Sequence, residues 1–515
     1  MYASLASFGL SGIEPYVVSV EVDARRAMPG FDIVGLPDTV VKESRDRVRA
    51  AVQNLGYPSI LAKVVANLAP ADAKKQGAVY DLPILLALLA ACDYEELDFS
   101  GAVVVGEIGL SGELRAVNGV LPMALEATQH GFSRMIVPVQ NAAEASVAAG
   151  PEVGSGLEIL CASHAREVIA YFKGEGHLPR AAELGGQRTL PPPLLPDLTD
   201  VKGQQEARRA LEIAAAGGHN MLFIGPPGTG KSMLAKRLPS ILPPMTTGES
   251  IEVTKIHSVS GLLPPGVRLI EHRPFRAPHH TVSAASLTGG GPNPRPGEIS
   301  LAHGGVLFLD ELPQFQKNTL EVLRQPLEDG VVSISRVRQR ISYPSRSMLV
   351  AAMNPCPCGM FGHPSGKCKC SREAISRYLG RVSGPLLDRI DIHIEVLPVE
   401  YGQLTSTQKE ESSAKVRQRV SAARQLQVAR LAGHNIPCNA QIPPGLLGEV
   451  CKMSTQAETL LRSAFDRMGL SARGHSRILK VARTIADLDA AELIEQSHIA
   501  QAVQLRSLDR KYWGG

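Results

Sequence analysis

Hydrophobic and polar positions follow different periods along the first third of the chain. Apolar and polar residues alternate over residues 16–22, which is typical of a strand with one buried face. Residues 42–55 repeat apolar positions at helical spacing, and residues 82–89 are apolar throughout. We therefore predict an amphipathic helix, a buried helix and a strand, and an α+β domain over residues 1–172.

Two continuous apolar runs, at 220–224 and 305–309, are typical of parallel strands buried on both faces. They predict an α/β core with a parallel sheet over residues 197–396. Within this core we also predict a helix over residues 318–328. Helical periodicity interrupted by glycine dominates residues 397–515 and predicts a helical domain, with Ser471 as the N-cap of a helix that runs to Asp487. Residues 173–196 are rich in glycine, proline and charge, which favours a linker.

Overall composition adds little about partners. The chain has 515 residues, enough for several domains, and its 44% hydrophobic content is ordinary for a globular protein. A net charge of +4 is too small to indicate a polyanionic partner, so any basic surface must be local. The longest apolar run, 82–92, is too short to cross a bilayer, and no basic segment precedes an apolar one at the N-terminus. We expect a cytoplasmic protein with no membrane partner.

A phosphate-binding loop follows the first apolar run and precedes a helical pattern. The glycines let backbone N–H groups face phosphates, the lysine reaches the β and γ oxygens, and the serine hydroxyl is a ligand for Mg²⁺. These residues predict an ATP site: Gly225, Pro226, Pro227, Gly228, Thr229, Gly230, Lys231 and Ser232.

Polar residues at the ends of two further strands complete this site. Asp310 and Glu311 end the second apolar run, and Asn354 ends the run 347–353. We predict that Asp310 holds Mg²⁺, that Glu311 is the base for attack on the γ-phosphate, and that Asn354 orients the attacking water. This set predicts hydrolysis rather than binding alone.

Four of the eight cysteines lie within residues 356–370, an insertion that we predict to bind zinc. Four thiolates on two short turns can close a tetrahedral site. The single residue between the members of each pair is fewer than usual, so free thiols or a redox pair remain the alternative. The predicted ligands are Cys356, Cys358, Cys368 and Cys370.

Basic residues cluster in two segments. Residues 331–346 alternate as a β-hairpin with three arginines that we expect on one face. Residues 258–305 are rich in glycine, proline and histidine, and we expect them to form an irregular insertion. We predict DNA phosphate contacts from both, a solvated surface being the alternative. The residues concerned are Arg336, Arg338, Arg340, Arg273, Arg276 and Arg295. For His279 and His280, solvated or phosphate-contacting roles are favoured over metal binding.

Several segments resemble those of AAA+ ATPases. Residues 200–204 resemble the segment beside the adenine, which implies that Val201, Gly203 and Gln204 flank the base. Residues 384–392 resemble the arginine-finger segment, which implies a catalytic role for Arg389. Residues 471–484 resemble the second-sensor helix of a lid domain, which implies a γ-phosphate contact by Arg477, with Arg473 as the rival.

The first domain has a resemblance of its own. Residues 106–115 resemble the proteolytic domain of Lon proteases and its relative in RadA-type ATPases, a ribosomal S5 domain 2-like fold. No serine lies in 75–80 and no lysine in 117–121, where the resemblance would place the catalytic pair. We therefore predict a non-catalytic scaffold.

Together with residues 275–280, 354–359 and 384–391, these segments resemble the ComM/YifB family of magnesium-chelatase-like AAA+ proteins. The resemblance implies a bacterial homo-hexameric ATPase that drives branch migration during natural transformation. Its partners would be single-stranded and branched DNA, with a recombinase as a further candidate. Two alternatives stay open: a magnesium chelatase subunit driving metal insertion, and a Lon-like peptidase, which would need the missing catalytic pair.

Overall fold

A computed structural model describes the chain except for residues 151–152, 155, 185–194, 292–293, 337–338, 364–365, 400, 405–409 and 514–515. Its described strands are β1 (Tyr2–Ser11), β2 (Glu14–Arg25), β3 (Gly30–Val34), β4 (Lys63–Ala69), β5 (Ala102–Val104), β6 (Glu107–Ile108), β7 (Leu114–Arg115), β8 (Arg134–Pro138), β9 (Glu158–Ala162), β10 (Met221–Ile224), β11 (Phe275–Arg276), β12 (Gly289–Gly290), β13 (Arg295–Pro296), β14 (Val306–Leu309), β15 (Val331–Arg336), β16 (Gln339–Pro344), β17 (Met348–Met353) and β18 (Ile392–Glu395).

The described α-helices are α1 (Thr39–Asn54), α2 (Asp81–Ala91), α3 (Val120–Gln129), α4 (Ala142–Ala145), α5 (Ala165–Phe172), α6 (Ala181–Leu184), α7 (Gln205–Gly217), α8 (Lys231–Ile241), α9 (Thr247–Ser260), α10 (Ala284–Thr288), α11 (Glu298–Leu301), α12 (Lys317–Glu321), α13 (Arg324–Asp329), α14 (Arg372–Leu379), α15 (Gly384–Leu387), α16 (Tyr401–Leu404), α17 (Ser413–Arg430), α18 (Leu447–Val450), α19 (Thr455–Met468), α20 (Ala472–Leu488), α21 (Gln496–Gln504) and α22 (Leu508–Trp513).

The front part of the chain folds around a seven-stranded mixed sheet in the order β3-β4-β2-β1-β5-β8-β9. The predicted alternation forms β2, whose Val18, Val20 and Val22 are fully buried. The continuous apolar run forms α2, which packs on β1 and β2 and is covered by α1. Leu178 and Ala181, which the sequence assigned to the linker, are buried in this same core.

The second sheet has five strands in the order β11-β14-β17-β10-β18, with parallel pairing throughout. The two apolar runs form β10 and β14, and every residue of both strands is buried. Parallel strands place their carboxyl ends at one edge, so the segments after β10, β14 and β17 meet there. The predicted α/β core is confirmed.

Helices of the last part of the chain pack on this core. α17 and α20 contact α7, and α21 packs against α19 and α20. α20 begins after Ser471, whose hydroxyl accepts the backbone N–H of Gly474 at 3.1 Å, so the predicted N-cap is confirmed. One hydrophobic cluster joins Ile478 and Ile485 of α20 to Phe223 of β10.

Two predicted elements differ in the structure. The single helix expected at 318–328 is divided into α12 and α13, because the ring of Pro326 would clash with the carbonyl of Val322 in a continuous helix. The insertion at 258–305 is more ordered than expected, since it holds the end of α9 together with β11, α10, the β12–β13 ribbon and α11.

The β15–β16 hairpin corrects the prediction that its arginines share one face. Ser335 pairs with Arg340 and Arg336 pairs with Gln339. Paired residues of two strands lie on the same face, and successive residues of one strand alternate between faces. Position 340 therefore shares a face with 335, and position 336 lies on the opposite face. Arg338 lies outside the described residues.

The front domain contacts the α/β core at two places. Ser258 at the end of α9 donates its hydroxyl to Glu144 of α4 at 2.5 Å, and its carbonyl accepts the N–H of Gly119 at 3.2 Å. The turn between β1 and β2 lies on the hairpin, where a Cβ on Gly12 would be 2.5 Å from Ile341. The front domain therefore contacts the core beside the insertion and the hairpin.

Candidate nucleotide site and metal centre

The phosphate loop lies between the ends of β17 and β18. Gly225 donates its N–H to Met353 at 3.2 Å, and a Cβ there would be 2.2 Å from the carbonyl oxygen of Val396, so only glycine fits. Gly228 and Gly230 take positive φ angles of 80° and 91°, and α8 begins directly afterwards. The loop thus aims its backbone N–H groups and the start of α8 at one point.

Lys231 is buried at this point, and its hydrogen bonds go to neutral groups. Its Nζ donates to the carbonyls of Gly225 at 2.8 Å and Pro226 at 2.7 Å, and to Oδ1 of Asn354 at 3.2 Å. Burial lowers the pKa of Lys231 to about 8, because its charge is removed from water. A buried ammonium whose hydrogen bonds go to neutral groups is suited to receive an anion, which fits the phosphates of ATP.

The predicted magnesium ligands also meet. The Ser232 hydroxyl donates to Oδ2 of Asp310 at 2.5 Å, which joins α8 to the end of β14. Oδ1 of Asp310 accepts the N–H of Glu311 at 2.9 Å. A hydroxyl and a carboxylate beside the phosphate loop are the oxygen ligands that Mg²⁺ requires.

Glu311 lies next to these ligands with φ of 51° and an exposed side chain. Nδ1 of His280 is 3.7 Å from its Oε2, and the His280 ring stands edge-on to Phe315 at 6.4 Å. Sequence reasoning missed this contact. The position of His280 just after β11, the neighbour of β14, is the signal that could have found it.

The predicted adenine segment lies against the loop. Gln204 donates its Nε2 to the carbonyls of Thr229 at 3.3 Å and Leu397 at 2.6 Å. Gly203 donates its N–H to Oε1 of Glu410 at 2.9 Å, a contact that the sequence did not indicate, and Val201 is buried. The structure therefore brings Gln204 to the phosphate loop, with Gly203 beside it in the chain and Val201 buried in the core.

The arginines of the finger and second-sensor segments lie elsewhere. Arg477 donates to Oδ1 of Asp391 at 2.5 Å, and Oδ2 of Asp391 accepts the N–H of Asn220 at 3.1 Å. Asn220 precedes β10 whereas the phosphate loop follows it, so Arg477 is at the opposite edge of the sheet. Arg477 therefore does not reach the phosphate loop of its own chain, and its γ-phosphate contact stays a prediction.

Arg389 lies at the same amino edge. Glu328 bridges its guanidinium to that of Arg473, whose Nη2 is 3.3 Å from Oε1 of Glu328. Nε of Arg389 donates to the carbonyl of Arg324 at 2.8 Å. Neither Arg389 nor Arg473 reaches the phosphate loop of its own chain.

Two of the predicted DNA-contacting arginines are bound internally. Arg273 donates to Glu249 at 3.0 Å and to the carbonyls of Pro243 and Gly304 at 2.7 Å each. Arg276 forms a two-point ion pair with Glu298 at 2.6 and 2.7 Å. These guanidinium groups therefore already have partners in the fold, and their DNA contacts stay a prediction. Arg295 and Arg340 are exposed.

The four clustered cysteines converge on one point. The Sγ atoms of Cys356, Cys358 and Cys368 are 3.4, 3.7 and 3.8 Å apart, and all four sulfurs lie within 4.8 Å of one another. A tetrahedral zinc with bonds of about 2.3 Å has sulfurs about 3.8 Å apart, so the spacing fits that ion. Burial raises the pKa of the Cys356 thiol to about 12, whereas the backbone N–H of Met360 lowers that of Cys358 to about 6.

The strand order, the phosphate loop with its carboxylates and the helical domain packed on the sheet define an ATPase of the AAA+ class. Family models agree over most of the chain: "Magnesium chelatase, subunit ChlI" matches residues 197–404, "Subunit ChlI of Mg-chelatase" residues 20–141, and "Magnesium chelatase, subunit ChlI C-terminal" residues 410–506. The chain belongs to the magnesium-chelatase-like ATPases of the ComM/YifB family.

Similar proteins span nearly the whole chain. The chain is 43% identical over 513 residues to the competence protein ComM of Haemophilus influenzae, covering 97% of this chain and 96% of that protein. It is also 43% identical over 503 residues to the uncharacterized protein YifB of Escherichia coli, with the same coverage. A shorter match, 40% over 67 residues, links 13% of the chain to 14% of the DNA repair protein RadA of H. influenzae.

Family membership implies ATP and Mg²⁺ as cofactors, and the residues described above fit both. In the part of the chain that the structure describes, no helix has the length and apolar character needed to cross a membrane.

Proposed function

We propose that this protein is an ATP-driven hexameric motor that moves the branch point of three- and four-way DNA junctions during natural transformation. The main support for a ring-shaped motor is the separation of Arg389 from the phosphate loop of its own chain. The DNA substrate is supported by the 97% coverage of the match to a competence protein and by the exposed arginines of two neighbouring hairpins.

Hydrolysis is assigned to residues at the carboxyl edge of the core sheet. The loop residues and Lys231 bind the phosphates, and Ser232 and Asp310 hold Mg²⁺, which supplies charge neutralisation when bound. Glu311 accepts a proton from the attacking water, and Asn354 orients that water. Val201, Gly203 and Gln204 flank the base.

Ring formation completes each site in this proposal. The buried Arg389 and the exposed Arg473 share Glu328, away from their own nucleotide. A neighbour's γ-phosphate would replace that carboxylate as their partner. A cyclic arrangement repeats this contact at every interface. Arg477 pairs with Asp391 and so attaches the lid to the core sheet at the same edge as Arg389.

DNA contact is assigned to the β15–β16 hairpin and the β12–β13 ribbon. Tyr343 of the hairpin donates its hydroxyl to the carbonyl of Pro294 beside the ribbon at 2.8 Å. This hydrogen bond joins the hairpin to the ribbon. Arg340 and Arg295 are exposed on them, and Arg336 and Arg338 belong to the same hairpin. Arginines of this kind grip phosphates without reading bases.

The cysteine cluster is assigned to zinc. The distances between sulfurs match a four-thiolate site, and the described chain has no other group of three or more metal-binding side chains as close together. Metal analysis of protein purified without added zinc should give about one equivalent per chain. A content below about a tenth of that would remove the assignment.

The remaining assignments concern organisation. The front domain to about residue 172 is a non-catalytic scaffold, residues 197–396 hold the ATPase, and residues 397–515 form the lid. We place the protein in the cytoplasm, with a recombinase as a candidate partner that supplies the junctions.

A magnesium chelatase subunit is the second candidate, because the matching family models carry that description. A Lon-like peptidase has less support: Lys75 is fully buried and donates to the carbonyl of Ala73 at 2.9 Å and to that of Pro70. ATP hydrolysis measured with duplex, single-stranded, forked and four-way DNA, with a porphyrin-bound partner complex and with unfolded protein separates the three. Stimulation by forked or four-way DNA alone is expected; stimulation by one of the other two would replace the proposal.

A further inference from the structure

The turn that carries Cys356 and Cys358 touches the nucleotide site directly. Cys356 is two residues beyond Asn354, whose side chain accepts Lys231 at 3.2 Å. The sulfur of Cys356 is buried and accepts the N–H of Phe361 at 3.3 Å, which closes the turn. The position of the turn therefore determines where the end of β17 and Asn354 lie.

Gly359, within this turn, packs against the phosphate loop. It takes a φ of 79°, and a Cβ there would be 2.5 Å from Cδ and 3.2 Å from Cγ of Pro227. No side chain fits between the turn and the loop. A displacement of the turn would therefore shift Pro227 or leave it unsupported.

The other side of the turn is supported by the last described helix. Phe361 stands edge-on to Tyr512 of α22, with ring centres 6.2 Å apart. The Tyr512 hydroxyl donates to Oε1 of Glu395 at 2.8 Å. Glu395 pairs with Ile224, the residue before the phosphate loop. The turn therefore lies between the phosphate loop and α22, and α22 is bonded to the strand next to β10.

We infer that metal bound by the four cysteines positions Asn354 and the phosphate loop, so that affinity for ATP depends on metal occupancy. The inference rests on the proposed zinc site. Without a cation, the two cysteine pairs are no longer bonded to a common ion, and the turn loses the bonds that join them. The loop then has more conformations to lose when ATP binds, which weakens binding.

A matched pair of variants tests the contact. Gly359→Ala and Gly366→Ala both place alanine at a positive φ, 79° and 64°, in the same cysteine segment, but nothing lies within 4 Å of the added Cβ at 366. Gly359→Ala should keep its zinc and lose roughly tenfold in ATP affinity, since small misplacements of phosphate-binding groups are costly. Gly366→Ala should keep both, in measurements of zinc content and of the Kd for a fluorescent ATP analogue.

Metal removal from the wild-type chain tests the same inference without substitution. The zinc is withdrawn with an organomercurial and a chelator, folding is monitored by circular dichroism, and the Kd for ATP is measured before removal, after removal and after zinc is restored. A reversible loss of affinity in a folded chain supports the inference. Equal Kd values with and without zinc, or equal effects of the two glycine variants, overturn it. A wild-type chain that binds ATP but contains no zinc overturns the metal site itself.

Discussion

Lys231 and Glu311 have different proposed roles. Lys231 lies in the phosphate loop and binds ATP, whereas Glu311 lies beyond the magnesium ligands and acts in hydrolysis. Lys231→Ala should weaken ATP binding by at least about tenfold, because the buried cation that meets the phosphates is lost. Glu311→Gln should bind ATP like wild type and lose turnover by at least about a hundredfold. Direct binding and steady-state hydrolysis, measured side by side, check both. Equal turnover in Glu311→Gln and wild type would remove the assigned base.

Asp391 provides a prediction of pH dependence. Burial acts to raise its pKa, but Arg477 and His219 oppose this and hold the pKa well below the usual range. A carboxylate with a depressed folded-state pKa stabilises the fold above its unfolded pKa of about 4, and that contribution is lost as the pH falls through the lower, folded value. Asp391→Asn should therefore lower the free energy of unfolding at pH 7 by about 3 kcal/mol and flatten its decline in acid.

Urea unfolding between pH 7 and pH 3 measures this effect. The exposed Asp466→Asn serves as the control, since it removes the same charge from the lid surface. If both variants follow the wild-type curve, the buried ion pair between the sheet and the lid does not stabilise the fold.

At the scale of elements, the β15–β16 hairpin should couple hydrolysis to DNA movement. Replacing Arg336, Arg338 and Arg340 together by Ala should leave basal ATP hydrolysis unchanged and abolish junction movement. Each lost phosphate contact should reduce the slope of log K against log salt by about 0.9. Strand-exchange assays and DNA binding at several salt concentrations check this.

The control removes three exposed arginines of the front domain, Arg25, Arg26 and Arg49, and so changes the net charge equally. Wild-type branch migration by the hairpin variant, or equal losses in both triple variants, would show that the hairpin does not grip DNA specifically.

Elements whose signal is local were predictable. β10, the phosphate loop and the cap at Ser471 depend on neighbouring residues, so periodicity and motif spacing located them. The positions of Arg477 and Arg273 depend on partners far along the chain, Asp391 and Glu249, which no local pattern reveals. Which face of the hairpin an arginine occupies depends on the position of the turn between β15 and β16. A shift of the turn by one residue changes the pairing register and moves each side chain of one strand to the other face.

At the scale of the whole molecule, Arg389 predicts a shared active site. Arg389→Ala chains keep Glu311, and Glu311→Gln chains keep Arg389, so a mixed ring contains some interfaces with both. Each variant alone should be inactive, and a mixture should regain a measurable fraction of hydrolysis. Light scattering is used to check that both variants assemble into rings. If the mixed rings assemble but show no hydrolysis, Arg389 does not contribute to a neighbour's active site.

The order of strands in the core sheet has a consequence for biosynthesis. β10 is made before both of its neighbours: Met221 pairs with Val350 on one side and with Ile392 on the other. An entirely apolar strand therefore leaves the ribosome long before either partner exists, and such distant pairing folds slowly. During that interval the nascent chain exposes a surface that chaperones bind and that promotes aggregation. The strand that leads into the ATP site is thus the part of the core whose folding depends most on protection during translation.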